Sequence, residues 1–231
     1  VARHAVAKVD TPLQRGGHAE RVVVQTGNGN NYMVLHHEGG SNDGVLYANI
    51  KFSAGGGDDG IELHNADLVQ ADGGDGDDWL YADGVTKGIL KGGKGNDEIY
   101  IQNSSGMVIQ YASGDGNDTV YGFNADRKNE DIKIRIDGKY ETVESGNDVL
   151  VSVGSGSIRL VDALGLYLDI DTLSSDDTLM AGIEYDPKKP SKLIVSDPFT
   201  GLANAADYSE KITLIDATGS SKPVILKAGE K

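Results

Sequence analysis

Apolar residues in this chain stand in short segments of alternating apolar and polar positions, separated by turns rich in Gly, Asp and Asn. Alternation of this kind predicts β-strands. In the first half, single aliphatic residues recur behind such turns, and we expect them to stack as one interior ladder. These residues are Met33, Val45, Ile61, Leu80, Ile99 and Val120. The return strands are expected to contribute Leu68, Ile89 or Leu90, and Val108 or Ile109.

The aliphatic residues end a repeated phrase of two glycines, any residue, Gly, any residue, Asp, any residue and an aliphatic. Near-perfect copies occupy 73–81, 92–100 and 113–121, and weaker copies begin at 54, 38 and 26. The sixth positions, 31, 43, 59, 78, 97 and 118, are separated by steps of 12, 16, 19, 19 and 21 residues. A step near 19 corresponds to about one full coil of a two-stranded roll. Because the intervening stretches lack the double glycine, we expect metal-binding turns on one edge only.

Beyond Tyr121 the pattern changes to strands joined by turns that contain Gly, Asp and Asn. The region 131–161 predicts an antiparallel meander, which we expect to cover the open end of the roll. A short helix is predicted near 162–168, and Pro187 and Pro190 indicate a linker. The tail is expected to contain strands with polar turns.

These patterns predict an all-β chain with four parts. They are an N-terminal lead-in (1–25), a parallel β-roll (26–125), a capping β-meander (126–165), and a linker with a β-rich C-terminal region (166–231).

Composition indicates a thin core. The 231 residues suit one or two domains, but 32 are Gly and only 38% are apolar. Each coil buries a few aliphatic residues worth roughly 1.5–3 kcal/mol apiece, while ordering each residue costs on the order of 1.5 kcal/mol. Cation binding therefore has to supply part of the folding free energy.

Charge and residue types exclude several classes of protein. The net charge of −15 opposes compaction and argues against nucleic acid as a partner. The chain has no Cys, so disulfides and thiolate metal sites are excluded. No apolar run approaches the ~18 residues of a membrane span, and the start lacks the core of a signal peptide. Because the chain also lacks an initiator Met, we expect a segment of a longer or processed protein.

The glycine–aspartate phrase resembles the repeats-in-toxin (RTX) family, the hemolysin-type calcium-binding repeats of secreted bacterial proteins. The resemblance implies a calcium-bound parallel β-roll in which each ion lies between the turns of neighbouring coils. Sixth-position carboxylates and glycine carbonyls would supply the oxygen ligands. The implied ligands are Gly55, Gly57, Asp59, Gly74, Gly76, Asp78, Gly93, Gly95, Asp97, Gly114, Gly116 and Asp118. They would hold about three Ca²⁺ ions, and Asp43 would extend the row to a fourth.

The expected function is a calcium-dependent folding module, without catalytic residues, of a secreted or cell-surface bacterial protein such as an adhesin, surface-layer protein or filament. Two alternatives stay open: a repeat domain attached to a secreted enzyme, and a carbohydrate-binding module. The second alternative depends on Tyr81, Tyr100 and Tyr121, which follow the interior aliphatic residues and form either a cross-coil stack or a glycan platform. The expected location is extracellular, and the expected partners are calcium, other copies of the chain or surface glycans.

Overall fold

The computed structural model describes residues 6–9, 22–35, 47–123, 132–173, 183–186, 189–196, 201–204, 214–219 and 224–227. Within these ranges every regular element is a β-strand, which confirms the predicted all-β class. The strands are β1 (Val6–Val9), β2 (Val22–Gln25), β3 (Tyr32–Leu35), β4 (Tyr47–Gly56), β5 (Gly60–His64), β6 (Ala66–Asp75), β7 (Trp79–Asp83), β8 (Thr86–Lys94), β9 (Glu98–Gln102), β10 (Met107–Ala112), β11 (Asn117–Tyr121), β12 (Ile132–Asp137), β13 (Tyr140–Ser145), β14 (Asp148–Val153), β15 (Gly156–Leu160), β16 (Asp169–Thr172), β17 (Ile183–Asp186), β18 (Lys189–Ser196), β19 (Gly201–Asn204), β20 (Leu214–Gly219) and β21 (Val224–Lys227).

Two sheets account for most of the described chain, and from β3 to β12 successive strands alternate between them. The first sheet has the order β1-β3-β5-β7-β9-β11-β15-β14-β13, and the second has the order β16-β12-β10-β8-β6-β4-β2. Neighbouring strands from β1 to β12 pair in parallel within each sheet. Two consecutive strands, one in each sheet, therefore make one coil of a parallel stack.

The core lies between the two sheets. In the first sheet Met33, Ile61, Leu80, Ile99 and Val120 follow one another in register and are buried, as the sequence predicts. Val45 lies outside the described residues. The second sheet faces this ladder with a row of buried residues. The row consists of Phe52, Ala71, Leu90, Ile109 and Ile134.

In the return strands, the structure shows which residue of each alternative pair belongs to the core. Leu90 and Ile109 belong to the core, whereas Ile89 and Val108 pair with each other in the neighbouring register row. The side chain of Leu68 lies outside the described part of the chain, and Val69 is buried beside it.

The N-terminal spacing differs from the expectation. The sequence predicted steps of 12 and 16 residues, with a phrase at Asp43 between those at Asn31 and Asp59. In the structure β3 pairs directly with β5, with Met33 opposite Ile61, so one step of 28 residues replaces the two. The number of residues between two copies of the phrase therefore does not show which strands pair. Sequence spacing therefore fails where the phrase decays.

The predicted meander is present in part. Strands β13, β14 and β15 are antiparallel, but β12 pairs in parallel with β10 and β16 and so continues the second sheet. Strand β15 returns to pair in parallel with β11. Parallel pairing thus also occurs outside residues 26–125, between β1 and β3 and between β12 and β16. Alternation alone does not distinguish parallel from antiparallel pairing, because both bury alternate residues.

The C-terminal part differs from the expected linker and helix. Residues 161–166 form turns and bends rather than a helix. Pro190 lies within β18, and Pro187 lies outside the described residues. Strands β17, β18 and β20 form one small sheet, and β19 and β21 form another.

The interior ladder gives a test of the core. Leu80→Ala removes a fully buried side chain between Ile61 and Ile99, and we expect a loss of about 2–5 kcal/mol in the free energy of unfolding. Val143→Ala, on the exposed side of β13, should change it by less than about 0.5 kcal/mol. Urea denaturation of both variants under conditions that fold the parent chain provides the comparison. Equal losses would contradict the assignment of this ladder to the core.

Candidate functional site

The glycine phrases build the turns along one edge of the two-sheet stack. They join β4 to β5, β6 to β7, β8 to β9 and β10 to β11. Gly74 shows why glycine is needed: its φ is +111°, and a Cβ atom there would overlap the carbonyl oxygen of Gly55 in the preceding turn. In the same way, a Cβ atom on Gly93 would overlap the carbonyl oxygen of Gly74. The carbonyl oxygens of one turn therefore point at the backbone of the next.

The sixth-position residues of these turns form a continuous row. The amide N–H of Asp59 donates to Oδ1 of Asp78 at 2.7 Å, and that of Asp78 donates to Oδ1 of Asp97 at 2.7 Å. The amide of Asp97 donates to Oδ1 of Asp118 at 3.2 Å. Each carboxylate thus accepts a hydrogen bond from the coil before it, and the structure brings together the four aspartates that the sequence singled out.

The second oxygen of these carboxylates has no partner. Oδ2 of Asp59, of Asp78 and of Asp97 is buried and accepts no hydrogen bond from the described residues. All three side chains are at most 3% exposed. Oδ2 of Asp78 lies against Gly73 of its own turn, and Oδ2 of Asp97 lies against Gly92, so that a Cβ at either glycine would overlap it. These two first-position glycines were not among the predicted site residues, although both belong to the repeated phrase.

Burial of these carboxylates changes their acidity. Desolvation, opposed by the backbone hydrogen bond and reinforced by neighbouring aspartates, raises the pKa of Asp78 to about 8. Desolvation also raises the pKa of Asp118 to about 8 and that of Asp97 to about 6. The pKa of Asp59 is raised for the same reason. Three or four negative charges in this row are therefore unfavourable unless a cation or protons neutralise them.

The row begins at Asn31. Its backbone amide donates to Oδ1 of Asp59 at 2.6 Å, in the same pattern as the later turns. Asn31, and not Asp43, is the sixth-position neighbour of Asp59, and Asp43 itself lies outside the described residues. The side-chain amide of Asn31, which carries no charge, lies inside the first turn.

The last turn has a different shape. Its step of 21 residues adds two residues, and Asp115 is buried with Oδ2 accepting the amide of Ala112 at 2.7 Å. The hydroxyl of Tyr111 donates to the carbonyl oxygen of Gly116 at 2.5 Å. Gly116 stacks on Gly95 as in the other turns, but a Cβ on Gly114 would meet nothing within 4 Å. Gly114 therefore does not stack on the preceding turn as Gly93 stacks on Gly74, although its sequence phrase is near perfect.

A second row of side chains was missed by sequence reasoning. Fifth-position residues accept hydrogen bonds from the following coil: Oδ1 of Asp58 from the amide of Asp77 at 3.2 Å, and Oδ1 of Asp77 from that of Asn96 at 2.7 Å. Oδ1 of Asn96 accepts from the amide of Asn117 at 3.1 Å. The signal was present, since every copy of the phrase carries Asp or Asn at this position.

The predicted tyrosine ladder exists on the outer face of the first sheet. The rings of Tyr100 and Tyr121 stack with centroids 4.3 Å apart and an interplanar angle of 6°. The hydroxyl of Tyr81 donates to Gln102 at 2.6 Å, and that of Tyr100 donates to Glu98 at 2.9 Å. Ring faces that contact each other and hydroxyls that bind neighbouring side chains favour cross-coil stacking over a glycan platform.

Two further features of the described ranges concern metal clusters and membrane spans. These ranges contain no group of three or more His, Cys, Asp or Glu side chains that could hold a metal ion. A row with one carboxylate per turn would depend on carbonyl oxygens for the remaining ligands. No helix in the same ranges is long and apolar enough to cross a membrane.

Comparisons with known proteins do not identify the chain. No protein-family model matches it, and no curated protein matches it. Among solved structures, the extracellular lipase LipA from Serratia marcescens is similar at 11% identity with a TM-score of 0.30. The match covers 67% of this chain and 37% of that chain. At this TM-score the likeness supports no argument about fold or function.

The stacked turns predict a sharp difference between two glycines. Gly74→Ala places a Cβ against the backbone of Gly55 at a positive φ, and we expect a loss of more than about 2 kcal/mol in stability. Gly27→Ala introduces a Cβ with nothing within 4 Å, and its stability should change by less than about 1 kcal/mol. Thermal unfolding of both variants tests the stacking. It would be contradicted by a Gly74→Ala variant as stable as Gly27→Ala.

The raised pKa values predict that the metal-free chain is stabilised by acid. An Asp with a higher pKa in the folded state binds more protons when folded, so stability falls as pH rises from about 4 towards 8. In chelator, the urea midpoint at pH 5 should exceed the midpoint at pH 8.5. Asp78→Asn should show a smaller difference between the two pH values, because one of the responsible carboxyls is gone. A midpoint that does not change with pH would show that the row is not buried as described.

Proposed function

We propose that the glycine-turn edge binds Ca²⁺ ions between successive turns and that this binding is coupled to folding. The observation that carries the proposal is the row of buried carboxylate oxygens without partners on Asp59, Asp78 and Asp97. A buried, unpaired charge is strongly unfavourable, so the folded edge requires a positive partner. The sixth-position aspartates would hold the ions together with carbonyl oxygens of the stacked glycines.

The chemistry of the edge favours calcium over other metals. The available atoms are carboxylate and carbonyl oxygens, which suit hard cations, and His and Cys ligands for zinc are absent from the described turns. Ca²⁺ accepts six to eight oxygens in irregular geometry, whereas Mg²⁺ requires a strict octahedron. Bound Ca²⁺ would supply the positive charge that the buried carboxylates lack. Shared turns would give each ion ligands from two coils.

Coupled binding and folding explains how a thin core can be stable. From β3 to β12 each strand contributes only one to three buried hydrophobic residues to the core, while the chain carries a net charge of −15. Ion binding only to the folded state stabilises that state by mass action. At affinities on the order of 10⁻⁴–10⁻³ M, which are typical of extracellular modules, folding would follow transfer from low to high calcium.

The proposed biological role is a non-catalytic RTX-type structural module of a secreted or cell-surface bacterial protein. The repeated phrase supports this assignment, since the turn residues and the parallel stack both agree with it. In this role the module serves as a spacer or assembly unit that becomes ordered outside the cell. Its partners would be calcium and other copies of the chain.

Calcium titration tests the proposal directly. After removal of metal with chelator, addition of Ca²⁺ should increase the strand signal in circular dichroism and change the fluorescence of the single tryptophan, Trp79, which follows Asp78. Both signals should share one midpoint, on the order of 10⁻⁴–10⁻³ M. If neither signal responds to calcium or chelator, the coupled folding is refuted.

A matched pair of triple variants separates the edge from general charge effects. Replacing Asp59, Asp78 and Asp97 with Ala should abolish the calcium response, because the row loses its carboxylates. Replacing Asp137, Glu141 and Glu144 with Ala removes three exposed carboxylates and should leave the midpoint within about a factor of two. An equal weakening of calcium binding in both variants would indicate a diffuse charge effect.

A further inference from the structure

We infer that the side-chain amide of Asn31 takes the place of a cation in the first turn, so that the ion row begins at the next coil. This inference rests on the proposed calcium row and concerns which turns need an ion. In this arrangement Asn31 determines how many Ca²⁺ ions the row of turns binds. The other sixth-position residues in the described row are aspartates.

The contacts of Asn31 reproduce a small cation site. Its side-chain nitrogen donates to the carbonyl oxygen of Gly27 at 3.1 Å and to Oδ1 of Asp59 at 3.1 Å. It also donates to the carbonyl oxygen of Gly29. One nitrogen thus contacts two carbonyl oxygens of its own turn and one carboxylate of the next coil, which are the ligand types expected around calcium.

The next turns present the same set of atoms without the nitrogen. Gly55 and Gly57 stand where Gly27 and Gly29 stand in the first turn, and Asp59 stands where Asn31 stands. Asp and Asn have the same shape, but the second atom of the side chain changes from a donor to an acceptor. In Asp59, Asp78 and Asp97 this oxygen is buried and unpartnered. The Asn turn is satisfied by its own amide, and the Asp turns are not.

Two kinds of turn follow from this difference. The first turn closes by hydrogen bonds and carries no additional negative charge, so the row of turns can begin there without an ion. The Asp turns require an external cation, and their order therefore depends on the calcium concentration. A single Asn/Asp exchange should convert one kind of turn into the other.

The first experiment adds a site. Asn31→Asp should bind one more Ca²⁺ ion than the parent chain, measured by native mass spectrometry and by calorimetric titration in calcium excess. Asn31→Ala removes the amide without supplying a carboxylate, and its ion count should stay equal to that of the parent chain. An unchanged count in Asn31→Asp, when the variant is folded, would overturn the inference.

The second experiment removes a site instead of adding one. Asp78→Asn should bind fewer ions, but in chelator its melting temperature should rise by roughly 2–8 °C, because an amide donor replaces an unpartnered oxygen. Asp77→Asn is the matched control, since it makes the same charge change at an exposed neighbour that keeps its accepting Oδ1. Its melting temperature in chelator should change by less than about 2 °C.

The outcomes distinguish this inference from the proposed function. A parent chain that binds no calcium refutes the proposed function. A parent chain that binds calcium, with Asp78→Asn no more stable than the parent in chelator, refutes only the role of the amide. If Asn31→Asp does not fold, the melting temperature of Asp78→Asn decides alone.

Discussion

The other features of the fold depend on the close stacking of the glycine turns, which lie one strand spacing apart. Parallel strands about 4.8 Å apart bring each turn so near to the next that a Cβ on Gly74 or Gly93 would overlap a carbonyl oxygen. That stacking buries the sixth-position carboxylates, and the amide of the preceding coil satisfies only one of the two oxygens of each. The geometry that makes the stack regular thus also creates its need for positive charge.

The turns at the two edges of the stack are held by different contacts. The glycine edge carries two rows of hydrogen bonds in opposite directions, with sixth-position carboxylates accepting from the preceding coil and fifth-position side chains accepting from the following one. In the described part of the opposite edge, Ala66, Val85 and Ser104 are buried, and the amide of Val85 donates to the hydroxyl oxygen of Ser104. The buried carboxylates of the glycine edge carry charge, so the protonation of that edge affects the stability of the coils.

The ends and the outer face of the stack are largely satisfied by the chain itself. At the C-terminal end, Asp148 accepts bonds from the guanidinium of Arg159 and from the amide of Asp162 at 2.8 Å, which joins β14 to β15 and the following turn. On the outer face, tyrosine rings stack on each other and bind neighbouring polar side chains. In the first turn of the row, the side-chain amide of Asn31 donates to the carbonyl oxygen of Gly27 and to Oδ1 of Asp59. The unpartnered oxygens of the sixth-position aspartates are accordingly confined to the middle turns.

Local chemistry made much of this architecture predictable from the amino-acid sequence. The regular spacing of the phrase determined the strand class, the coil length near 19, the interior ladder and the glycine edge, because each depends on residues that are close along the chain. Only the tertiary structure decided that β12 continues the parallel sheet, that Asn31 lies beside Asp59, and that Gly114 does not stack closely on the preceding turn. It also revealed that Asp59, Asp78 and Asp97 each have one carboxylate oxygen with a hydrogen-bond partner and one without. Those features depend on which coil lies next to which, and pairing between distant segments is not encoded in the local pattern of alternation.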